Sequence, residues 1–184
     1  MIVDKYISTI ERALLLGGGT SALLLAGAHA FENFGNLPPC ELCLAQRDVH
    51  WVALGVAIAS AIALLVFKAR MVALAGLGLM AAVFGYSAWL AGYHAGVEWK
   101  FWPGPPSCSG GGDVLIETPA DLLQQLETAP IVSCTDAAWR LFGISMAGYN
   151  ALISLGLALL LAYLCYQFVR KDRQQAFETT AETA

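Results

Sequence analysis

The stretch Pro38-Pro39-Cys40-Glu41-Leu42-Cys43-Leu44-Ala45-Gln46-Arg47 decides how the rest of the chain is read. Two prolines cannot continue a preceding helix, but proline suits a first helical turn. A helix therefore begins near Cys40 and runs into the apolar segment behind it. On such a helix Cys40, Cys43 and Arg47 follow the i, i+3, i+7 rule and share one face. The helix N-terminus carries partial positive charge and unpaired N–H groups. That field and Arg47 both favour a thiolate over a thiol, which makes one of the two sulfurs a usable nucleophile. A dithiol at the mouth of an apolar helix suggests electron transfer between thiols and a lipid-dissolved acceptor.

The surroundings of the stretch are those of a membrane protein. Of 184 residues, 58% are hydrophobic and only 13% charged, against about 25% charged in soluble proteins. Four segments, Ala13–Phe31, Val49–Phe67, Met71–Tyr93 and Leu141–Val169, stand out as apolar. Each is near or above the roughly 20 residues that cross about 30 Å of hydrocarbon. Small residues in the third and fourth (Gly76, Gly78, Gly85, Gly92; Ser145, Gly148, Ser154, Gly156) permit close helix packing in lipid. The expected fold is all-α, a single membrane domain of four transmembrane helices over 1–184. The net charge of −4, with no long basic run, gives no reason to expect a nucleic-acid partner.

Orientation follows from lysine and arginine. Lys5 and Arg12 precede the first span, Lys68 and Arg70 sit between the second and third, and Arg170, Lys171 and Arg173 follow the fourth. These outnumber Arg47, Lys100 and Arg140 on the other side, so both termini are expected in the cytoplasm. Two outer loops result, about 32–48 and 94–140. Ala28-His29-Ala30 resembles a signal-peptide cleavage site, but Asp4, Glu11 and Gly17-Gly18-Gly19 argue that the first span is retained.

Of five cysteines, Cys40, Cys43, Cys108 and Cys134 then lie on the outer side, where disulfides persist. Cys165 falls near the cytoplasmic end of the fourth span and reads as an apolar filler. In the long loop, His94 to Trp102 is rich in interfacial aromatics. Ser107-Cys108-Ser109-Gly110-Gly111-Gly112 reads as flexible and exposed. Thr118-Pro119-Ala120-Asp121 starts a short helix, and its apolar Leu115, Ile116, Leu122, Leu123 and Leu126 predict that it lies along the membrane surface.

Four outer cysteines could be staples, metal ligands or a relay. A C-x-x-C ring is too small to stabilise much as a staple, because the entropic gain grows with loop length. Cys108 and Cys134 lack the short spacing that would complete a zinc site. Haem ligation by His29, His50 or His94 is a further alternative. A relay uses every feature. A partner's thiolate attacks a Cys108–Cys134 disulfide, exchange carries two electrons to Cys40 and Cys43, and a membrane quinone accepts them. Arg47 would stabilise a reduced quinone oxygen; its alternative reading is a headgroup anchor.

Pro39-Cys40-Glu41-Leu42-Cys43 followed by Arg47 resembles the P-C-x-L-C-x-x-x-R signature of the bacterial disulfide bond formation protein DsbB family. The resemblance extends to four spans, a short and a long periplasmic loop, a cysteine pair in each, His94 before Cys108 and Trp139 after Cys134. It implies a quinone-linked thiol oxidase of the bacterial inner membrane, with ubiquinone or menaquinone as acceptor. It implies that Cys108 forms the mixed disulfide with a periplasmic DsbA-like thioredoxin-fold oxidant and that Cys134 resolves it. Cys43 would contact the quinone, Cys40 would face the exchange, and Arg47 and His94 would line the quinone pocket. Asp48 and His50, just past Arg47, have no assigned role, although Asp48 could partly neutralise Arg47. A vitamin K epoxide reductase-like enzyme also joins C-x-x-C to a quinone, but carries that motif on its fourth helix. A non-enzymatic scaffold with stapled loops is the rival from another class.

Overall fold

The computed structural model describes residues 2–105, 108 and 133–182. Four helices make up almost all of it: α1 (Ile2–Asn33), α2 (Glu41–Leu65), α3 (Arg70–Glu98) and α4 (Met146–Glu182). Each holds a segment long and apolar enough to cross a membrane: Thr9–Asn33, Glu41–Leu65, Arg70–Glu98 and Met146–Lys171. The expected all-α, four-span bundle is what forms. The surface helix expected from Thr118 onward lies outside the described residues.

The bundle is apolar on its outside as well as in its core. Leu23, Phe67, Met71, Trp89 and Leu159 project from its outer surface, where lipid is as apolar as they are. Association then depends on close packing and hydrogen bonds inside. Gly18 on α1 approaches Ala57 on α2, where an added Cβ would come to 2.8 Å of the alanine methyl. A Cβ on Gly76 of α3 would overlap the Ser60 hydroxyl of α2. Around these contacts Ile10, Leu14, Leu77, Met80, Phe84 and Leu161 form one buried cluster, with Cys165 packed against its edge. That position suits the filler role expected of Cys165.

α3 packs against both α2 and α4, and α1 against α2, whereas α1 and α4 scarcely touch. The bundle is therefore open along its α1–α4 edge. At the start of the fourth span the chain makes a two-residue hairpin before it becomes helical. β1 (Arg140–Leu141) pairs antiparallel with β2 (Ile144–Ser145), Leu141 facing Ile144. Helix α4 thus opens at Met146, and Leu141 belongs to the hairpin. Phe142 and Gly143 turn with φ of 50° and 82°. Glycine makes that left-handed turn accessible.

Candidate functional site

Cys40 is the N-cap of α2, with extended φ/ψ of −78° and 173°. Its sulfur accepts a hydrogen bond from the Cys43 backbone N–H at 3.3 Å, as a serine oxygen does at ordinary caps. This geometry folds the C-x-x-C onto itself, and Cys40 Sγ donates to Cys43 Sγ at 3.0 Å. Both thiols are free, while Cys108 and Cys134 form a disulfide. The Cys40 thiol is pushed well above the usual thiol range, first by its bond to Cys43 and then by burial.

The disulfide arrives beside this pair through the turn after α3. Trp102 packs flat on Gly96, where any Cβ would overlap its indole. It also stacks on Tyr93 at 6.0 Å and donates its Nε1–H to the Tyr93 carbonyl at 3.0 Å. The chain is thereby folded back along α3, and the Cys108 N–H reaches the Pro105 carbonyl at 2.9 Å. Cys108 and Cys134 then join Cys40, Leu42, Leu90 and Val97 in a second apolar cluster. Cys108 is only 2% exposed, contrary to the accessibility expected from its glycine-rich context. Composition alone predicts exposure, but the disulfide and the Trp102–Gly96 contact hold the half-cystine against the bundle.

One atom each from Cys40, His94 and Cys134 lie within 4.8 Å of one another. Cys134 is already oxidised, so it offers no thiolate to a metal. The triangle instead has the reach needed for exchange between sulfurs.

Arg47 projects from the next turn of α2 toward the end of α1. Its Nη1 donates to Glu32 Oε2 at 2.7 Å, and its Nη2 lies 3.0 Å from His29 Nδ1. The arginine side chain is 16% exposed, so it is held in place and does not reach for headgroups. Its anion is Glu32, from another helix, and not the neighbouring Asp48. Cys40, Cys43, Arg47 and His94 all line a cavity of about 400 Å³ between α1, α2 and α4. Leu24, Phe31, Trp139, Met146 and Ile153 supply apolar wall, with Trp139 wedged between Phe31 and Tyr149 at 5.5 and 6.4 Å.

Beneath the cavity runs a ladder of hydrogen bonds whose direction one carbonyl sets. Gln46 Nε2 lies 3.2 Å from the Leu42 carbonyl, which can only accept. The same NH₂ therefore donates to His94 Nδ1 at 2.8 Å, and Gln46 Oε1 accepts from Asn150 Nδ2 at 2.8 Å. Asn150 Oδ1 in turn accepts from His50 Nε2 at 2.9 Å and Ser154 Oγ at 3.1 Å. Ser21 meets His50 Nδ1 at 3.3 Å, and Ser87 meets Ser154 at 3.0 Å. All four helices are tied together under the site by groups that lipid could not satisfy. His50 thus has a structural partner set, and the haem alternative gains nothing, since His29 is at Arg47 and His94 at Cys40.

Sequence reasoning did not find Glu32, Gln46, Asn150 or Glu98 as part of this site. Glu32 and Gln46 had one available signal, a polar residue within two turns of a helix mouth. For Asn150 the signal was a lone amide in an apolar span.

The profile of the disulfide bond formation protein DsbB family matches residues 10–164. Disulfide bond formation protein B of Polaromonas sp. (strain JS666 / ATCC BAA-500) is 27% identical over 182 residues, covering 93% of this chain and 99% of its own. Its counterpart from Dechloromonas aromatica (strain RCB) is 28% identical, over 86% and 91% of the two chains. That from Marinobacter nauticus (strain ATCC 700491 / DSM 11845 / VT8) is 30% identical, over 75% and 84%. No solved structure matches significantly.

Proposed function

The chain belongs to the disulfide bond formation protein DsbB family, and from that membership we propose that it is a dithiol:quinone oxidoreductase that reoxidises a periplasmic DsbA-like thiol oxidant. The observation that carries the reading is the position of Cys40 Sγ. It lies 3.0 Å from Cys43 Sγ on one side and within 4.8 Å of Cys134 on the other. A single sulfur so placed can exchange with either pair.

The electron path is a series of thiol–disulfide exchanges. A thiolate of the reduced partner attacks the Cys108–Cys134 bond, and the partner's second thiol then leaves with it as a disulfide. Cys108 and Cys134 each gain an electron and a proton. Cys134 next attacks Cys40 of an oxidised Cys40–Cys43 pair, and Cys108 closes on Cys134 to restore their bond. The products are a Cys108–Cys134 disulfide and a Cys40/Cys43 dithiol, the state seen here. Because Cys108 is buried, the partner must uncover it before exchange.

The acceptor is a membrane quinone, ubiquinone or menaquinone, which takes two electrons and two protons. The cavity's volume is within the roughly 300–1,000 Å³ of small-molecule sites. Its apolar wall suits a quinone ring, and its opening at the α1–α4 edge gives access from lipid. Cys43 lines it beside Arg47, whose guanidinium can donate to a reduced oxygen at any working pH. His94 reaches the same wall through its contact with Cys40. The excess of Lys and Arg at the opposite end supports a bacterial inner-membrane protein with cytoplasmic termini and a periplasmic cysteine end.

Cys43→Ser is the direct test. It should abolish quinone reduction by a dithiol protein while leaving Cys108–Cys134 formed; near-native turnover would remove Cys43 from the path.

A further inference from the structure

Glu98 ends α3 beside the site, with its side chain 6% exposed. Its Oε2 is buried and has no hydrogen-bond partner among the described residues. An ionisable group at the mouth of a membrane helix with one carboxylate oxygen left without such a partner calls for a functional explanation. Its Oε1 lies 3.8 Å from His94 Nε2, and the same nitrogen lies 3.6 Å from Cys40 Sγ.

The ladder below determines what His94 can do there. Gln46 donates to Nδ1, so Nδ1 carries no hydrogen and the neutral ring carries its proton on Nε2. His94 is therefore a donor at Nε2: it is within hydrogen-bond reach of the Cys40 sulfur at 3.6 Å, with the Glu98 carboxylate just beyond that reach at 3.8 Å on its other side. A hydrogen bond to an ionised acceptor is roughly twice as strong as one to a neutral acceptor, so that hydrogen follows whichever of the two is charged.

We propose that Glu98 is the proton partner of Cys40: the two groups share one negative charge across His94 Nε2–H, and it passes from carboxylate to sulfur when Cys40 acts. The inference rests on the oxidase reading. Closing Cys40 and Cys43 into a disulfide releases two electrons and two protons, which together reduce one quinone to quinol. One of those protons leaves Cys40 Sγ for Glu98 across the cavity both residues line. The Cys40 thiolate then forms the S–S bond with Cys43 as two electrons and the Cys43 proton pass to the quinone, and Glu98 gives its proton to the second reduced quinone oxygen, completing the quinol. The other groups facing Glu98 are Cys43 on α2, Arg140 on β1 and Ser145 on β2, whose hydroxyl hydrogen-bonds the carboxylate. Arg140 donates to the Glu98 backbone carbonyl at 3.5 Å.

The test uses full-length protein in lipid nanodiscs with Cys40 and Cys43 reduced. Iodoacetamide labelling of Cys40 is followed by mass spectrometry at low conversion, from pH 5 to 10, in native protein and in Glu98→Gln. A pair that shares one charge presents a fixed fraction of thiolate, so native labelling should pass through a pH-independent plateau. In Glu98→Gln the plateau should vanish and the rate rise about tenfold per pH unit. Closure of the dithiol by a short-chain quinone should slow by about 100-fold at pH 6 and recover toward high pH. Gln46→Leu frees the His94 tautomer and should lower the plateau about tenfold without shifting its pH span.

Identical native and Glu98→Gln profiles overturn the proposal. If Glu98→Gln loses its helicity or its disulfide, an unchanged plateau in Gln46→Leu overturns it instead. Labelling needs no quinone, so failure of the oxidase reading shows separately, as native protein that forms no quinol.

Discussion

Replacing Arg47 by alanine removes a cation on the cavity wall whose position two partners fix. Nη1 is committed to Glu32 at 2.7 Å and Nη2 to His29 at 3.0 Å, which leaves other guanidinium hydrogens free for a ligand oxygen. A hydrogen bond to a charged group contributes about 1.5–3 kcal/mol. Glu32 neutralises part of that charge and is itself 35% exposed, so the share left for a quinone is about 1–2 kcal/mol. With about 1.4 kcal/mol per factor of ten, Arg47→Ala should raise the quinone KM about 5- to 30-fold. The assay is steady-state quinol formation in nanodiscs, with quinone varied at saturating dithiol protein. Glu32→Gln keeps the shape and lifts the competing anion, so its KM should stay level or fall. An unchanged KM in Arg47→Ala would reduce the arginine to a tie between α1 and α2, and a KM raised equally by both variants would point to lost structure.

Cys108→Ala should prevent capture of a mixed disulfide with the partner oxidant on non-reducing gels, whereas Cys165→Ala, at the far end of the bundle, should leave turnover within about twofold of native. Gly96→Val should unseat Trp102 and the turn that carries Cys108, slowing partner-dependent turnover more than turnover with a small dithiol; equal slowing would refute that link. Asn150→Leu strands Gln46 Oε1 and His50, each buried polar group costing about 1–3 kcal/mol. It should lower the resistance of the helical signal to denaturing detergent, and unchanged resistance would mean the ladder is not what ties the helices.

Much of this architecture was legible in the chain. Pro38-Pro39 and the apolar run after Cys43 announced a helix that begins at the motif, and the four spans followed from length alone. What escaped was tertiary. Gln46 meets Asn150 across 104 positions, and no helical periodicity relates them. Arg47 finds its anion on α1, not in Asp48 next to it, because adjacent helical residues point apart. Leu141-Phe142-Gly143-Ile144 reads as the start of a span by hydropathy, and only the left-handed turn at Phe142 and Gly143 makes it a hairpin. Cys108 sits among glycines that signal exposure, yet its disulfide to Cys134, 26 positions on, and the seating of Trp102 on Gly96 hold it buried.

The central claim is that two electrons leave a protein dithiol and arrive on quinone through these cysteines. The most direct measurement is anaerobic: purified protein, a reduced thioredoxin-fold dithiol protein and a short-chain quinone, with disulfide and quinol quantified together. The account predicts one quinol per partner disulfide, and none in Cys43→Ser. Partner disulfide without quinol, or quinol at the native rate in Cys43→Ser, would contradict it.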